Sequence, residues 1–157
     1  MDIKQIKEYY LREKLKTKHI SKIYHNLAEV AISSREMNWI TIFAHKRPEC
    51  LYLCLESLMN CRRIGKYSIY LAANEDSSPE IPAIAKELLS GLNYEIGIRP
   101  GWWFANRANG EATKAGMARS DEYGIFLGED EVVSKDYLEM VESVAAGNND
   151  PNLLSIS

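Results

Sequence analysis

Trp39-Ile40-Thr41-Ile42-Phe43-Ala44-His45-Lys46-Arg47-Pro48-Glu49 decides the fold. The apolar, β-branched run from Trp39 to Ala44 reads as a buried strand. His45, Lys46 and Arg47 end it, and Pro48, with φ already fixed and no N–H to lose, suits the first turn of a helix. Strand, polar loop, helix is the opening of an α/β unit. The same grammar repeats downstream. A helix from Glu49 to about Cys61 buries Leu51, Leu55 and Leu58, and a strand from Tyr67 to Ala73 runs into Asn74-Glu75-Asp76-Ser77-Ser78. A helix from Pro82 to Ser90 leads to a strand from Tyr94 to Ile98. The loop containing Pro100-Gly101-Trp102-Trp103 then precedes a helix from Arg107 to Ala118. Ile125-Phe126-Leu127-Gly128 is a further strand, tipped by Glu129-Asp130-Glu131. Ser134 is read as the N-cap of a helix reaching Ala146, and Leu153 to Ser157 as the start of one more strand. Strands alternating with helices at these lengths predict a mostly parallel sheet covered on both faces.

Upstream, residues 1 to 36 carry apolar positions at helical spacing, among them Ile3, Ile6, Tyr10, Ile20, Ile23 and Leu27. They predict two amphipathic helices broken near Thr17 to His19, a helical extension in front of a domain spanning 37 to 157. The lysines of the first helix read as a solvated face, and the apolar stripe offers a surface for a partner or for a second copy of the chain.

Length, charge and cysteine usage narrow the classes. At 157 residues with 46% hydrophobic content the chain fits one domain with a substantial core, and a net charge of -3 gives no general attraction to nucleic acid or anionic lipid. Cys50, Cys54 and Cys61 read as small buried hydrophobes in a reducing compartment, with no following Cys or His pair at zinc spacing. No apolar segment suits a secretory signal or a membrane span, so cytoplasmic residence is expected.

In a parallel α/β sheet, ligands bind beyond the carboxyl ends of the strands. The most polar loops, His45 to Pro48, Asn74 to Ser78 and Glu129 to Glu131, all follow strands and are expected to converge on one rim. Three adjacent carboxylates repel one another unless solvent, donors or a cation neutralise them. An acidic cap on the following helix is one reading. The other is a divalent cation, and oxygen ligands favour magnesium or manganese over zinc. Such an ion bridges a carboxylate to phosphate oxygens, which fits a nucleotide ligand.

The order of features resembles the nucleotide-binding half of a GT-A glycosyltransferase, of the family 2 type that uses nucleotide-diphosphate sugars. The matching pieces are Ile40 to Glu49, Asn74-Glu75-Asp76-Ser77, Asn106-Arg107-Ala108-Asn109-Gly110, and Leu127-Gly128-Glu129-Asp130-Glu131 followed by Tyr137-Leu138, together covering Trp39 to Ser157. The resemblance implies a three-layer, Rossmann-like sandwich and glycosyl transfer with inversion. It also implies a donor, a UDP-sugar first among the candidates, bound with manganese or magnesium. It maps Ala44, His45, Arg47 and Asp76 to contacts with base and ribose, adds Asn74, Arg107 and Glu129 to the donor site, and makes Asp130 the ribose partner and Glu131 the metal ligand. Trp102, an aromatic face of the kind that stacks on pyranose rings, is read as a sugar platform, with plugging of the sheet edge as the alternative. Glu131 stands where the family usually has Asp. The acceptor half of such enzymes, which carries the general base of inverting members, would follow the strand that Leu153 begins, where this chain stops. Two rivals therefore accompany the transferase: a non-catalytic nucleotide-sugar-binding module, and a protein-interaction domain that associates through its amino-terminal helices. A nucleotidyltransferase is disfavoured because no Gly-rich phosphate loop is present.

Overall fold

The strand opened by Trp39 gains one residue at its start and becomes β1 (Asn38–Phe43), followed by α1 (Pro48–Met59). The computed structural model describes residues 3–5, 8, 37–101 and 105–147. Beyond α1 come a 3-10 turn (Ile64–Lys66), β2 (Tyr67–Asn74), α2 (Ile81–Leu88), β3 (Tyr94–Arg99), α3 (Ala105–Arg119), β4 (Gly124–Gly128) and α4 (Tyr137–Gly147). Residues 3–5 are helical, in line with the first of the two helices expected upstream, and Ile3 packs against the core. The break near Thr17 and the second helix lie outside the described residues, as do Trp102, Trp103 and the strand expected at Leu153.

The strands form one sheet in the order β3-β2-β1-β4, with every pairing parallel. The chain is thus an α/β, Rossmann-like fold with helices on both faces. Alternation along the strands sorts the faces. Ile40, Ile42, Ile69, Leu71, Ile125 and Leu127 join Leu51, Leu55 and Leu58 of α1, Ile81 and Ile84 of α2, and Leu138 of α4 in the main core. Ile40, Ile42, Leu51, Leu55, Leu58, Ile69, Leu71, Ile81, Ile84 and Leu138 are all below 2% exposure, and burying each such side chain contributes roughly 1.5–3 kcal/mol before entropy is counted. The opposite face carries Trp39, Phe43, Tyr70 and Ala72, and packs against Ala112 and Ala115 of α3.

That second layer is close because α3 is built from small residues. A methyl group added to Gly116 would collide with the Thr41 hydroxyl on β1. Gly110 also lies inside α3, where an added methyl would meet only open space. A departure concerns the last helix. It starts at Tyr137, three residues after the expected Ser134 cap, because Ser134 uses its hydroxyl to donate to Asp136 and its carbonyl to accept from Cys61 and Tyr137. At the far end of α3, Arg119 lies over Tyr70 at 4.3 Å and Trp39 at 5.9 Å while pairing with Glu95 at 2.8 Å. That anchors the carboxyl end of α3 at the amino edge of the sheet and leaves its start at the rim.

Among the described residues no helix is long and apolar enough to cross a membrane. Cys54 and Cys61 are buried and Cys50 is partly so, all as free thiols, as the sequence predicts. Burial pushes Cys54 up to about 12 and Cys61 to about 11, so both stay protonated.

Candidate functional site

The strand order creates the site. From β1 the chain steps outward through β2 to β3, then α3 carries it back across to β4 on the other side of β1. β1 and β4 therefore lie side by side where the strand order reverses, and the loops leaving their carboxyl ends meet at the position where open α/β sheets bind ligands. Those loops are His45-Lys46-Arg47 and Glu129-Asp130-Glu131.

Glu129 joins them. At 5% exposure it is nearly enclosed. One carboxylate oxygen accepts the His45 backbone N–H at 2.6 Å and the other accepts Arg47 Nε at 2.9 Å. Arg47 also donates from Nη1 to Asp130 at 3.0 Å. These bonds, Glu129's first, hold the guanidinium pKa above its ordinary value. Arg47 occupies the N-cap position of α1 with φ of -118° and no side-chain cap bond, which leaves its side chain to reach the acids. Glu131 folds back so that its carboxylate accepts the Gly128 N–H, while its own N–H donates to the Gly128 carbonyl at 3.2 Å. Much of the acidic repulsion is thus answered by protein donors.

The loop after β2 is tied to the same rim. Asn74 N–H donates to Ser77 Oγ at 2.8 Å, Ser77 Oγ donates to the Ala44 carbonyl at 3.4 Å, and Ser78 N–H donates to the His45 carbonyl at 2.7 Å. Asp76 pairs with His45 Nε2 at 3.1 Å and Lys46 Nζ at 3.4 Å. The His45 hydrogen bond, opposed by partial desolvation and helped by Lys46, holds the Asp76 carboxyl below the usual range. From β3, Glu75 N–H donates to the Arg99 carbonyl at 2.8 Å, and Glu75 Oε2 accepts Gly101 N–H at 3.3 Å.

The structure thus brings Ala44, His45, Arg47, Asn74, Asp76, Glu129, Asp130 and Glu131 to one rim. Ala44 points its side chain into the core, so only its main chain is offered there. Arg107 lies exposed in the first turn of α3, and Lys114, seven residues on, pairs with Glu111 at 2.9 Å. Arg99 went unread in the sequence because the strand was closed one residue early, at Ile98. It is 9% exposed and donates to the Ala108 carbonyl. A concavity of about 400 Å³ at Ile3, Lys4, Pro79, Glu80 and Ala83 borders the loop after β2, and one of about 270 Å³ at Met37, Trp39, Ser68, Asn93, Arg119 and Asp121 lies at the opposite, amino-terminal edge of the sheet. The rim is the stronger candidate because three charged loops converge there at the carboxyl ends of the strands.

Among the described residues no three His, Cys, Asp or Glu side chains come together as a ready cage for a metal. Both Glu129 oxygens accept protein donors and the side chain is nearly enclosed, so it is the least open of the three acids. Asp130 and Glu131 are exposed oxygen donors. They fit the mode in which magnesium or manganese takes one or two carboxylates and completes its shell with water and phosphate oxygens.

No protein-family model matches the chain, and no curated protein matches it significantly.

Proposed function

We propose that the carboxyl rim binds a nucleotide-diphosphate sugar, with a UDP-sugar as first candidate, and that the chain is the donor-binding part of a cytoplasmic, inverting glycosyltransferase of GT-A type. The observation that carries this reading is the convergence of His45, Arg47, Asp76, Asp130 and Glu131 at the carboxyl ends of the strands, where the strand order reverses between β1 and β4. Asp76 and the main chain at Ala44 and His45 are available to base and ribose, with Asp130 as a further ribose partner. Arg47 is a fork suited to diphosphate oxygens. Glu129 acts through the others, fixing the His45 backbone and aiming Arg47. A divalent cation held by Asp130 and Glu131 would supply neutralisation of the departing diphosphate. Arg47 exchanges its bond to Asp130 for the ligand, which lets the acid turn outward.

A specific observation favours a second reading. Arg47 and Gly128 N–H already satisfy the acids, an arrangement that would suit a non-catalytic binding or interaction module equally well. Calorimetric titration with nucleotide diphosphates and their sugars, with manganese and after chelation, separates the two. The donor-site reading expects binding that needs metal and weakens at least tenfold in Glu131→Ala. Absence of saturable binding to every donor would sink it.

A further inference from the structure

The two ion pairs of the Arg47 guanidinium are unequal. Nε donates at 2.9 Å to Glu129, whose side chain is only 6% exposed and whose other oxygen is fixed by the His45 N–H. Nη1 donates at 3.0 Å to Asp130, and there both side chains are half exposed. A pair with one enclosed partner is held by its surroundings, whereas an ion pair open to water at both ends is weak and exchanges readily. Arg47 is therefore hinged at Glu129 and only latched at Asp130.

The latch stands where an incoming cation would have to bind. Asp130 Oδ2 already faces a positive group, and the Glu131 carboxylate is folded onto the Gly128 N–H. A divalent ion reaching Asp130 must either displace the guanidinium or sit beside a like charge. The displaced guanidinium keeps its Nε bond to Glu129 and swings its Nη donors away from Asp130. Those donors then form a fork suited to phosphate oxygens. The same exchange runs from the other side. A phosphate that draws the guanidinium off Asp130 leaves that carboxylate in need of a cation.

We propose that Arg47 is a built-in competitor for a divalent cation at Asp130, holding the acid until the ion, or a phosphate drawn to the guanidinium, breaks the pair. Without ligands the rim neutralises its own charges. Under the function proposed above, on which the identity of the phosphate rests, the metal and the diphosphate then bind with positive coupling. Each improves the other's affinity by the same factor, because both act on one side chain.

The test is calorimetric titration of the full chain with manganese chloride, alone and then together with UDP. The proteins compared are the wild type, Arg47→Gln and Lys46→Gln, the last a control for the loss of one positive charge that releases Asp76 and not Asp130. Manganese alone is expected to bind about threefold tighter in Arg47→Gln than in the wild type, the factor an exposed pair allows, with a smaller change in Lys46→Gln. The gain in UDP affinity on adding manganese should be at least twofold larger in the wild type than in Arg47→Gln. Association of manganese with UDP in solution is common to all the proteins and cancels in that comparison. Should Arg47→Gln fail to fold, Arg47→Lys, which keeps a charge beside Glu129 but cannot bridge both acids, is titrated in its place with the same sign expected. Equal manganese affinity in the wild type and the folded Arg47 variant, or a gain no larger than that of Lys46→Gln, overturns the proposal, and metal-dependent UDP binding in the same experiment leaves the donor reading standing. Manganese binding to neither protein also overturns it, and the donor reading falls with it only if UDP fails to bind as well. Manganese binding that tightens on loss of Arg47 while UDP binds none of the proteins overturns the donor reading alone.

Discussion

Replacing Glu129 by alanine removes the side chain that joins the two halves of the rim. Glu129 is 6% exposed at its side chain and accepts the His45 N–H at 2.6 Å and Arg47 Nε at 2.9 Å. A hydrogen bond to an ionised acceptor contributes about 1.5–3 kcal/mol, and the substitution also strands a part-buried backbone N–H. The Arg47 contribution is smaller, since that side chain is 52% exposed and water takes over much of the pairing, leaving ~1 kcal/mol at most. The sum is about 3 kcal/mol, or roughly 6–12 °C in the thermal midpoint of a domain this size. Glu129→Gln keeps an acceptor for His45 and loses the charge, so about half that cost is expected. Urea unfolding of the three proteins provides the measurement, valid where the slopes agree. If Glu129→Ala unfolds within about 0.5 kcal/mol of the wild type, as a bare surface substitution does, Glu129 is not holding the rim and the account of the site fails.

Two further outcomes are expected. Glu56 on α1 is 7% exposed, and burial raises its carboxyl pKa to about 7. The unfolded chain releases this proton near pH ~4.3, so the contribution is fully present below that value and is lost as pH rises towards about 7. Relative to the wild type, Glu56→Gln should gain stability steadily across that interval and then level off; parallel urea profiles across pH would contradict this. The paired changes Gly110→Ala and Gly116→Ala should have opposite signs. Gly110 has nothing within 4 Å of an added methyl, so helix propensity should stabilise it by roughly 0.5–1 kcal/mol. Gly116 meets the fully buried Thr41 hydroxyl, and overpacking of about 1–3 kcal/mol should outweigh the same propensity gain. Thermal unfolding reads both, and a stabilised Gly116→Ala would refute the close packing of α3 on β1.

The sheet was legible because its information is local. Trp39 to Ala44, Tyr67 to Ala73 and Ile125 to Gly128 are apolar runs of strand length, each followed by charge, and Pro48 marks a helix start without reference to anything distant. The convergence of three loops followed from connectivity alone. What the acids do there did not follow. Glu129 sits in the same triplet as Asp130 and Glu131, yet it is buried and they are exposed, because its partners arrive from 82 and 84 residues away. Ser134 has the right chemistry for a cap, but the Cys61 thiol and the Asp136 carboxylate engage it before the helix begins. Arg99 carried no signal in its own neighbourhood, since its burial depends on α3 folding back over the end of β3.

The span between Arg47 and Glu129 also governs the order in which this molecule can become itself. β1 and β2 are joined by a single helix, whereas β4 reaches β1 only after β2, β3 and α3 have been laid down. Closing that long loop costs entropy that its contacts repay late, as in other sheets built from distant pairings. Until then Arg47 has no Glu129 to aim it and the His45 N–H points into solvent. The rim is therefore a property of the assembled sheet, and the bond between Arg47 and Glu129 reports the closure of β4 onto β1.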